Sequence, residues 1–342
     1  MFTKRYINDI VKSEKIMKIS PIFWFEAARG YSVPMSIMSW SVPFLFAATE
    51  GGNIFYGLIA LVGIVFAHAG VNLFDDFIDY NLEQRNIKKG LKQDFELQKG
   101  KCAYLLSGDA TLKDLLLIIT LCFGTALACG LFLAAKTGIT VIFIMLAAAL
   151  IGILYPFLSF VALGEVAVGV MFAPLLYTGV YYVMTKSFSA ELFPIAISTG
   201  LLTIGLLHAH MFLDIDFDKK NKKITLCSLA GNKDNAVRNQ VIIMILAYLN
   251  IAINMFFGLP KIYVLSFLSI PTAIILYKLM KCDCYKKRKR IRTNIFFGPL
   301  GDMKKYKNLD VRAFMIKFSV ARNVMVEFTT LICIAKIISE IY

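Results

Sequence analysis

The stretch that decides the fold reads Asn72-Leu73-Phe74-Asp75-Asp76-Phe77-Ile78-Asp79-Tyr80-Asn81-Leu82-Glu83. It follows an apolar run at 54–74, long enough to cross a bilayer, for which about 20 mostly apolar residues suffice. Asp75, Asp79 and Glu83 are four apart. On a helix that continues past the apolar run they stack on one face, and Asn72, three before Asp75, joins the stripe. A second cluster, Asp214-Ile215-Asp216-Phe217-Asp218, ends the apolar run at 190–213. Asp214 and Asp218 are again one turn apart. Acidic residues are sparse elsewhere, so two tight groups at equivalent helix ends call for a shared cause.

Composition places these clusters in a membrane protein. The 342 residues are 58% hydrophobic and 18% charged, and the mean hydropathy is +0.67. Soluble domains average about 45–50% apolar and about 25% charged. Nine apolar runs emerge, at 32–49, 54–74, 113–134, 138–155, 163–185, 190–213, 238–257, 261–280 and 315–338. The expected architecture is an all-α integral membrane bundle of nine transmembrane helices over 32–342. An amphipathic cytoplasmic segment at 1–31 precedes it, and a basic cytoplasmic loop lies near 281–313.

Charge fixes the expected orientation. Of 37 Lys and Arg, 32 lie in the N-terminal segment and the loops near 75–113, 214–238 and 278–317. The opposite loops hold Lys136, Lys186 and Lys261. Basic loops stay cytoplasmic, so the N-terminus is expected inside and the C-terminus outside, in the cell membrane. The net charge of +14 is then topological, and nucleic acid is not an expected partner. Both acidic clusters fall on the basic side.

Carboxylates packed one turn apart repel without a cation. Hard oxygen ligands suit Mg²⁺, which takes one or two protein carboxylates and completes its shell with water and substrate phosphate. Two clusters together would hold Mg²⁺ around a diphosphate. Lys88 and Lys89 follow the first, and Lys219, Lys220, Lys222 and Lys223 the second, where they could contact phosphate oxygens. A diphosphate headgroup at the interface implies an apolar tail in the bilayer. Cations there stabilise a diphosphate leaving group, and a buried site shields an allylic carbocation from water. The plainer reading is two solvated acidic loop starts balanced by lysines.

The paired motifs resemble the UbiA superfamily of intramembrane prenyltransferases. That family has nine transmembrane helices, with Asp-rich motifs at the cytoplasmic ends of helices 2 and 6. The 1,4-dihydroxy-2-naphthoate polyprenyltransferase branch is most similar. Its first motif, Asn-x-x-Asn-Asp/Glu-x-x-Asp-Phe/Tyr, is matched by Asn72-Leu-Phe-Asp75-Asp76-Phe-Ile-Asp79-Tyr80. Its second, Asp-x-Asp-x-Asp-Lys-x-x-Gly-Lys/Arg-x-Thr-Leu, is matched by Asp214-Ile-Asp216-Phe-Asp218-Lys219-Lys-Asn-Lys222-Lys223-Ile-Thr225-Leu226. Leu163-Gly164-Glu165 is similar to the branch's Gly-Leu-Gly-Glu. The resemblance implies that Asp75, Asp79, Asp214 and Asp218 hold Mg²⁺ and the diphosphate of a polyprenyl donor, with Asn72, Asp76 and Glu83 assisting. Glu83 would also face the metal. Lys219 and Lys223 would touch phosphate, and Glu165 would serve the aromatic acceptor. Asp75 stands where the branch usually has Asn, and Lys222 where it has Gly. Ser159-Phe160-Val161-Ala162 is apolar where a basic residue is usual. The first two departures lie within the acidic motifs, and the last falls on the acceptor side.

Several isolated polar residues remain. His210 lies four before Asp214, where it would line the cavity under the second motif or hydrogen-bond to a neighbouring helix. His68 and His208 read as hydrogen-bonding to neighbouring helices. Arg29, ahead of the first span, reads as an interface anchor. The expected activity is Mg²⁺-dependent transfer of a polyprenyl group to 1,4-dihydroxy-2-naphthoate, a step towards menaquinone. Hydroxybenzoate, homogentisate, haem or a glycerol phosphate lipid are the alternative acceptors. A cation-coupled transporter would carry its site near the bilayer midplane on broken helices, whereas the acids here sit at helix ends.

Overall fold

The computed structural model describes residues 20–88, 102–158, 160–212, 215, 224–284 and 309–341. The described residues are helical, without a strand. The helices are α1 (Pro21–Ala27), α2 (Val33–Thr49), α3 (Ile54–Lys88), α4 (Ala103–Leu106), α5 (Leu112–Thr137), α6 (Thr140–Leu158), α7 (Gly164–Val170), α8 (Leu176–Thr185), α9 (Leu192–Met211), α10 (Leu226–Leu229), α11 (Lys233–Phe256), α12 (Ile270–Cys284) and α13 (Leu309–Ile341). Eight described segments are long and apolar enough to cross a membrane: 30–49, 54–81, 112–137, 140–158, 164–185, 192–211, 233–256 and 261–282. They overlap the first eight runs read from the sequence, with ends shifted by at most three residues except at 54–81, which ends seven later, and 233–256, which begins five earlier. The ninth run, 315–338, lies within α13, a continuous helix of 33 residues that is not among the eight. The protein is an all-helical integral membrane protein.

Local chemistry sets the boundaries. Ser20 precedes α1 with Pro21 at its first position, where a missing N–H costs nothing. Asn53 accepts from the Tyr56 amide to start α3, and Asn232 accepts from Asn235 to start α11. Thr225 and Ser228 form a reciprocal capping box on α10, which fixes the chain direction just after the second acidic motif. Between α7 and α8, Met171–Leu175 is a single π-turn containing Pro174. Proline lacks the N–H of the regular ladder, and a π-turn is one way to absorb the gap.

The chain divides into two compact units. Unit 1 comprises 1–33 and 63–128, and unit 2 comprises 34–62 and 129–342. In unit 1 the α1 ring of Trp24 meets Phe23 and Tyr104 edge-on, with centroids 5.3 and 5.9 Å away. Leu73 of α3 and Leu115 of α5 are fully buried in the same cluster. The amphipathic lead-in is therefore, at least over 21–27, a helix docked on unit 1.

Unit 2 is held by close backbone approach and buried polar bonds, as expected where lipid removes most hydrophobic drive between helices. A Cβ on Gly169 of α7 would lie 2.5 Å from Ile204 and 2.9 Å from the Gly200 carbonyl of α9. The Tyr177 hydroxyl donates to Thr199 at 3.1 Å, and Ser198 donates to the Ala247 carbonyl at 2.7 Å. Asn250 donates to the Pro194 carbonyl and to Ser198. Thr272 donates to Glu327 at 2.6 Å, joining α12 to α13. At one end of this unit the Lys336 ammonium lies 2.7 Å from Glu340, 3.2 Å from Glu191 and 3.6 Å from Glu50. Tyr263 donates to Glu191 and Tyr181 to Glu50. One cation thus gathers carboxylates from three separate parts of the unit.

Gly169→Leu forces α7 and α9 apart and costs about 1–3 kcal/mol, the usual range for overpacking. Gly124→Leu on α5 meets open space and is neutral or slightly stabilising, because glycine disfavours helix. Thermal unfolding in detergent checks the pair: the midpoint falls by several degrees for the first only.

Candidate functional site

The first acidic motif lies within α3. At 1.5 Å per residue its 35 residues run about 52 Å, well beyond a hydrocarbon core of about 30 Å. The helix continues through Glu83, so Asn72, Asp75, Asp79 and Glu83 share the stripe that their spacing implied.

Unit 1 brings a cation to this stripe. After α1 the chain turns at Arg29, whose φ of 58° is left-handed, and enters a short 3-10 turn at Gly30–Ser32. For a non-glycine residue this costs about 1 kcal/mol, and the surrounding contacts hold it. The Arg29 nitrogen Nη2 bonds Asp75 at 2.9 Å and Asp76 at 2.6 Å. Both carboxylates are buried. Asn72 donates to the Ala28 carbonyl at 2.9 Å. Ser32 donates to the Arg29 carbonyl and sits 3.2 Å from His68 Nε2. Four α3 side chains therefore grip one turn of chain at 28–32. Tyr104 donates to Asp76 at 3.2 Å, and the Cys102 thiol contacts the Asp76 carbonyl at 3.2 Å. Burial, with the Asp76 carboxylate beside it, pushes the Tyr104 phenol well above its usual value. It therefore stays a hydrogen-bond donor. Asp79, one turn further on, is half-buried. The Glu83 side chain lies outside the described residues.

Asp214, Asp216, Asp218, Lys219 and Lys223 also lie outside the described residues. The helix before them and the turn after them are described. His208 of α9 contacts the Ala236 carbonyl at 2.9 Å, across to α11, as read from the sequence. His210 packs edge-on against Phe318, centroids 5.5 Å apart. Glu165, in the first turn of α7, is buried and accepts from the Leu226 amide at 3.0 Å. The Ala162 amide also bonds the Ile224 carbonyl at 2.6 Å. Glu165 thus fastens the segment that follows the second motif.

From sequence alone Arg29 reads as an interface anchor, near a position where the resembled family has a basic residue. Its partners lie 46 and 47 residues away. The available signal was chemical, since buried neighbouring carboxylates require a counter-charge. Tyr104 and Cys102 carried no signal at all. Among the described residues no three Asp, Glu, His or Cys side chains converge as a ready cation cage. The donors present nonetheless fit Mg²⁺: Asp75 and Asp76 are hard oxygen ligands that already bridge one cationic nitrogen, and Asn72 and Asp79 flank them on the same helix.

The arrangement is that of a helical membrane protein with two buried carboxylates bridged by an arginine part-way along α3. Residues 35–300 match the UbiA prenyltransferase family. The chain belongs to that family and is a prenyltransferase. It is 25% identical over 259 residues to a 1,4-dihydroxy-2-naphthoate octaprenyltransferase of Haemophilus influenzae, covering 71% of this chain and 81% of the relative. Its fold is similar to a UbiA homologue from Aeropyrum pernix, with TM-score 0.59 and 13% identity over 90% of this chain and 98% of the other. It is also similar to a UbiA homologue from Archaeoglobus fulgidus bound to GPP and Mg²⁺, with TM-score 0.54 and 14% identity over 91% and 99%. A digeranylgeranylglyceryl phosphate synthase matches at TM-score 0.56 and 16% identity, over 92% and 97%.

Replacing Arg29 by Leu leaves two buried carboxylates without their counter-charge. The expected cost is about 3–5 kcal/mol, read as a lowered unfolding midpoint in Mg²⁺-free detergent. Arg29→Lys recovers only part of it, because an ammonium lacks the planar fork of the guanidinium.

Proposed function

We propose that this prenyltransferase moves a polyprenyl group from a polyprenyl diphosphate to 1,4-dihydroxy-2-naphthoate, in the cell membrane, with Mg²⁺ as cofactor. The observation that carries the acceptor is the pair of naphthoate-branch motifs at 72–80 and 214–226, supported by the similarity to the Haemophilus influenzae octaprenyltransferase. The magnesium and donor assignments draw support from the Archaeoglobus fulgidus homologue bound to GPP and Mg²⁺. The basic loops favour a cytoplasmic N-terminus and an outer C-terminus.

In this reading Asp75, Asp79, Glu83, Asp214 and Asp218 hold the cation, with Asn72 and Asp76 supporting them and Lys219 and Lys223 binding diphosphate oxygens. Bound Mg²⁺ supplies the Lewis acidity that helps diphosphate leave. Arg29 stands between Asp75 and Asp76 and neutralises them when substrate is away. Asn72 holds the 28–32 turn in place. Glu165 keeps the 224–226 segment, and with it the second motif, at a fixed position. The C–O bond of the donor breaks, and diphosphate departs with the electron pair. The electron-rich naphthoate ring attacks the resulting allylic cation, and the ring carboxylate leaves as carbon dioxide. His210 borders the second motif on α9 and is assigned to the acceptor cavity.

One feature favours a second acceptor. Phe160 and Val161 are exposed where the naphthoate branch usually has a basic residue. The competing reading is transfer to another acceptor: a hydroxybenzoate, homogentisate, haem or a glycerol phosphate lipid.

The test is a membrane assay with Mg²⁺ and radiolabelled polyprenyl diphosphate, offering 1,4-dihydroxy-2-naphthoate and 4-hydroxybenzoate separately. The expected result is a lipid product with the naphthoate alone, abolished by chelation. A product with neither, but label transferred once other acceptors are supplied, replaces the naphthoate by the second reading. Asp79→Ala and Asp218→Ala each lower turnover by about 10²-fold or more, the scale of losing one electrostatic stabiliser of the leaving charge, while the protein remains folded. Full activity in both sinks the metal site.

A further inference from the structure

A groove of about 770 Å³ runs between α11 and α12 in unit 2, and nothing in the transfer chemistry uses it. Its walls are apolar along most of their length. Ile245 and Leu249 line one side, and Ile270 and Ile274 the other. Ile245, Leu249 and Ile274 are 55, 46 and 47% exposed, so the groove is open along its side rather than enclosed. The Tyr248 hydroxyl bonds Ser269 at 2.7 Å, so the groove sees its ring.

The ionic lining residues, Asp234, Arg238 and Lys281, gather at one end. Asp234 and Arg238 stand in the opening turns of α11, and Lys281 in the last turn of α12. The Lys281 ammonium donates to the Tyr277 hydroxyl at 3.0 Å and rests 5.5 Å from that ring's centre. It is thereby held at the groove mouth. Among the described lining residues the ionic groups are two cations and one carboxylate. At 1.5 Å per residue, the lining from Arg238 to Ala252 covers about 21 Å. One leaflet's share of the hydrocarbon core is about 15 Å.

We infer that this groove is a binding site for a bilayer phospholipid, its phosphate between Arg238 and Lys281 and one acyl chain laid along the α11–α12 walls. Arg238 and Lys281 at the groove mouth complement the negative charge of a phosphodiester. A prenyl diphosphate carries more and needs the acidic motifs with their cation. The groove's length matches an acyl chain running in from the headgroup level, and its apolar lining is of the kind that buries such a chain. This inference does not depend on the acceptor.

Native mass spectrometry of the full chain in detergent, titrated with phosphatidylglycerol, tests it. The expected result is one phospholipid retained per chain. The double variant Arg238→Gln/Lys281→Gln binds about 30-fold more weakly, the loss of two interfacial cations. Ile274→Trp, which fills the groove from its exposed edge, also loses the lipid without touching the charges. Lys261→Gln, at the opposite end of the helix pair, retains it. Equal retention in wild type and the double variant overturns the site. So does release of the phospholipid by an equimolar prenyl diphosphate, which would make the groove a donor path. A dimer mass that disappears in Ile274→Trp while phospholipid binding persists overturns it in favour of a contact between two copies.

Discussion

Negative charge buried where an apolar run ends has to be neutralised close by, and much of unit 1 follows from that requirement. Asp75 and Asp76 are adjacent, buried and at the end of an apolar run. In water two such carboxylates would be tolerated. Here the Coulomb term is weakly screened, so a cation must be brought to them. Arg29 does so with a single nitrogen. Its delivery shapes the chain before it: α1 stops, Arg29 adopts a left-handed backbone, and Asn72, His68 and Ser32 fix the turn. The α1 helix then packs its Trp24 against Tyr104, which closes on Asp76 from the other side.

The same site explains why a cation-dependent reaction suits this position. The guanidinium bridging Asp75 and Asp76 shows that these two oxygen donors converge on one positive charge. Asp79 lies one turn further along the same face, and so extends the ligand stripe without joining the Arg29 pair. On the other unit, Glu165 holds a chain segment through a backbone hydrogen bond. It accepts the Leu226 amide at the start of α10, next to the capping box of Thr225 and Ser228. Both acidic motifs are thus flanked by chain segments that are fixed by polar bonds.

The spans were legible because hydrocarbon thickness imposes a length, and eight runs recur as helices with most ends moved by at most three residues. The first run begins earlier, at Gly30, because the 3-10 turn carries the chain into α2 without a break. The continuation of α3 past Asn72 was legible from the four-residue spacing of its acids. The Arg29 bridge was not legible, since a residue 46 positions away is joined to Asp75 by tertiary packing alone. The role of Glu165 was half legible. Its place at a helix start was evident, but its partner, the amide of Leu226, is a backbone group that no side-chain pattern announces.

Polar bonds in unit 2 have a different logic from those in unit 1. Ser198, Thr199, Asn250 and Thr272 bond across helices where lipid offers no alternative partner, and each contributes about 0.6 kcal/mol on average in measured membrane proteins. Such small terms specify register more than they stabilise. The larger constraint is steric: with Gly169 and Gly200 at the α7–α9 contact, the backbones approach within van der Waals range, and any side chain there would push the helices apart. The π-turn at Met171–Leu175 follows one residue after Gly169 and absorbs Pro174 before α8 begins. Glycine, proline and the short polar residues therefore act together on α7, α8 and α9. The consequence for catalysis is positional, because Glu165 and Gly169 share one short helix. The close contact that places α7 against α9 also places the carboxylate that holds the segment after the second acidic motif.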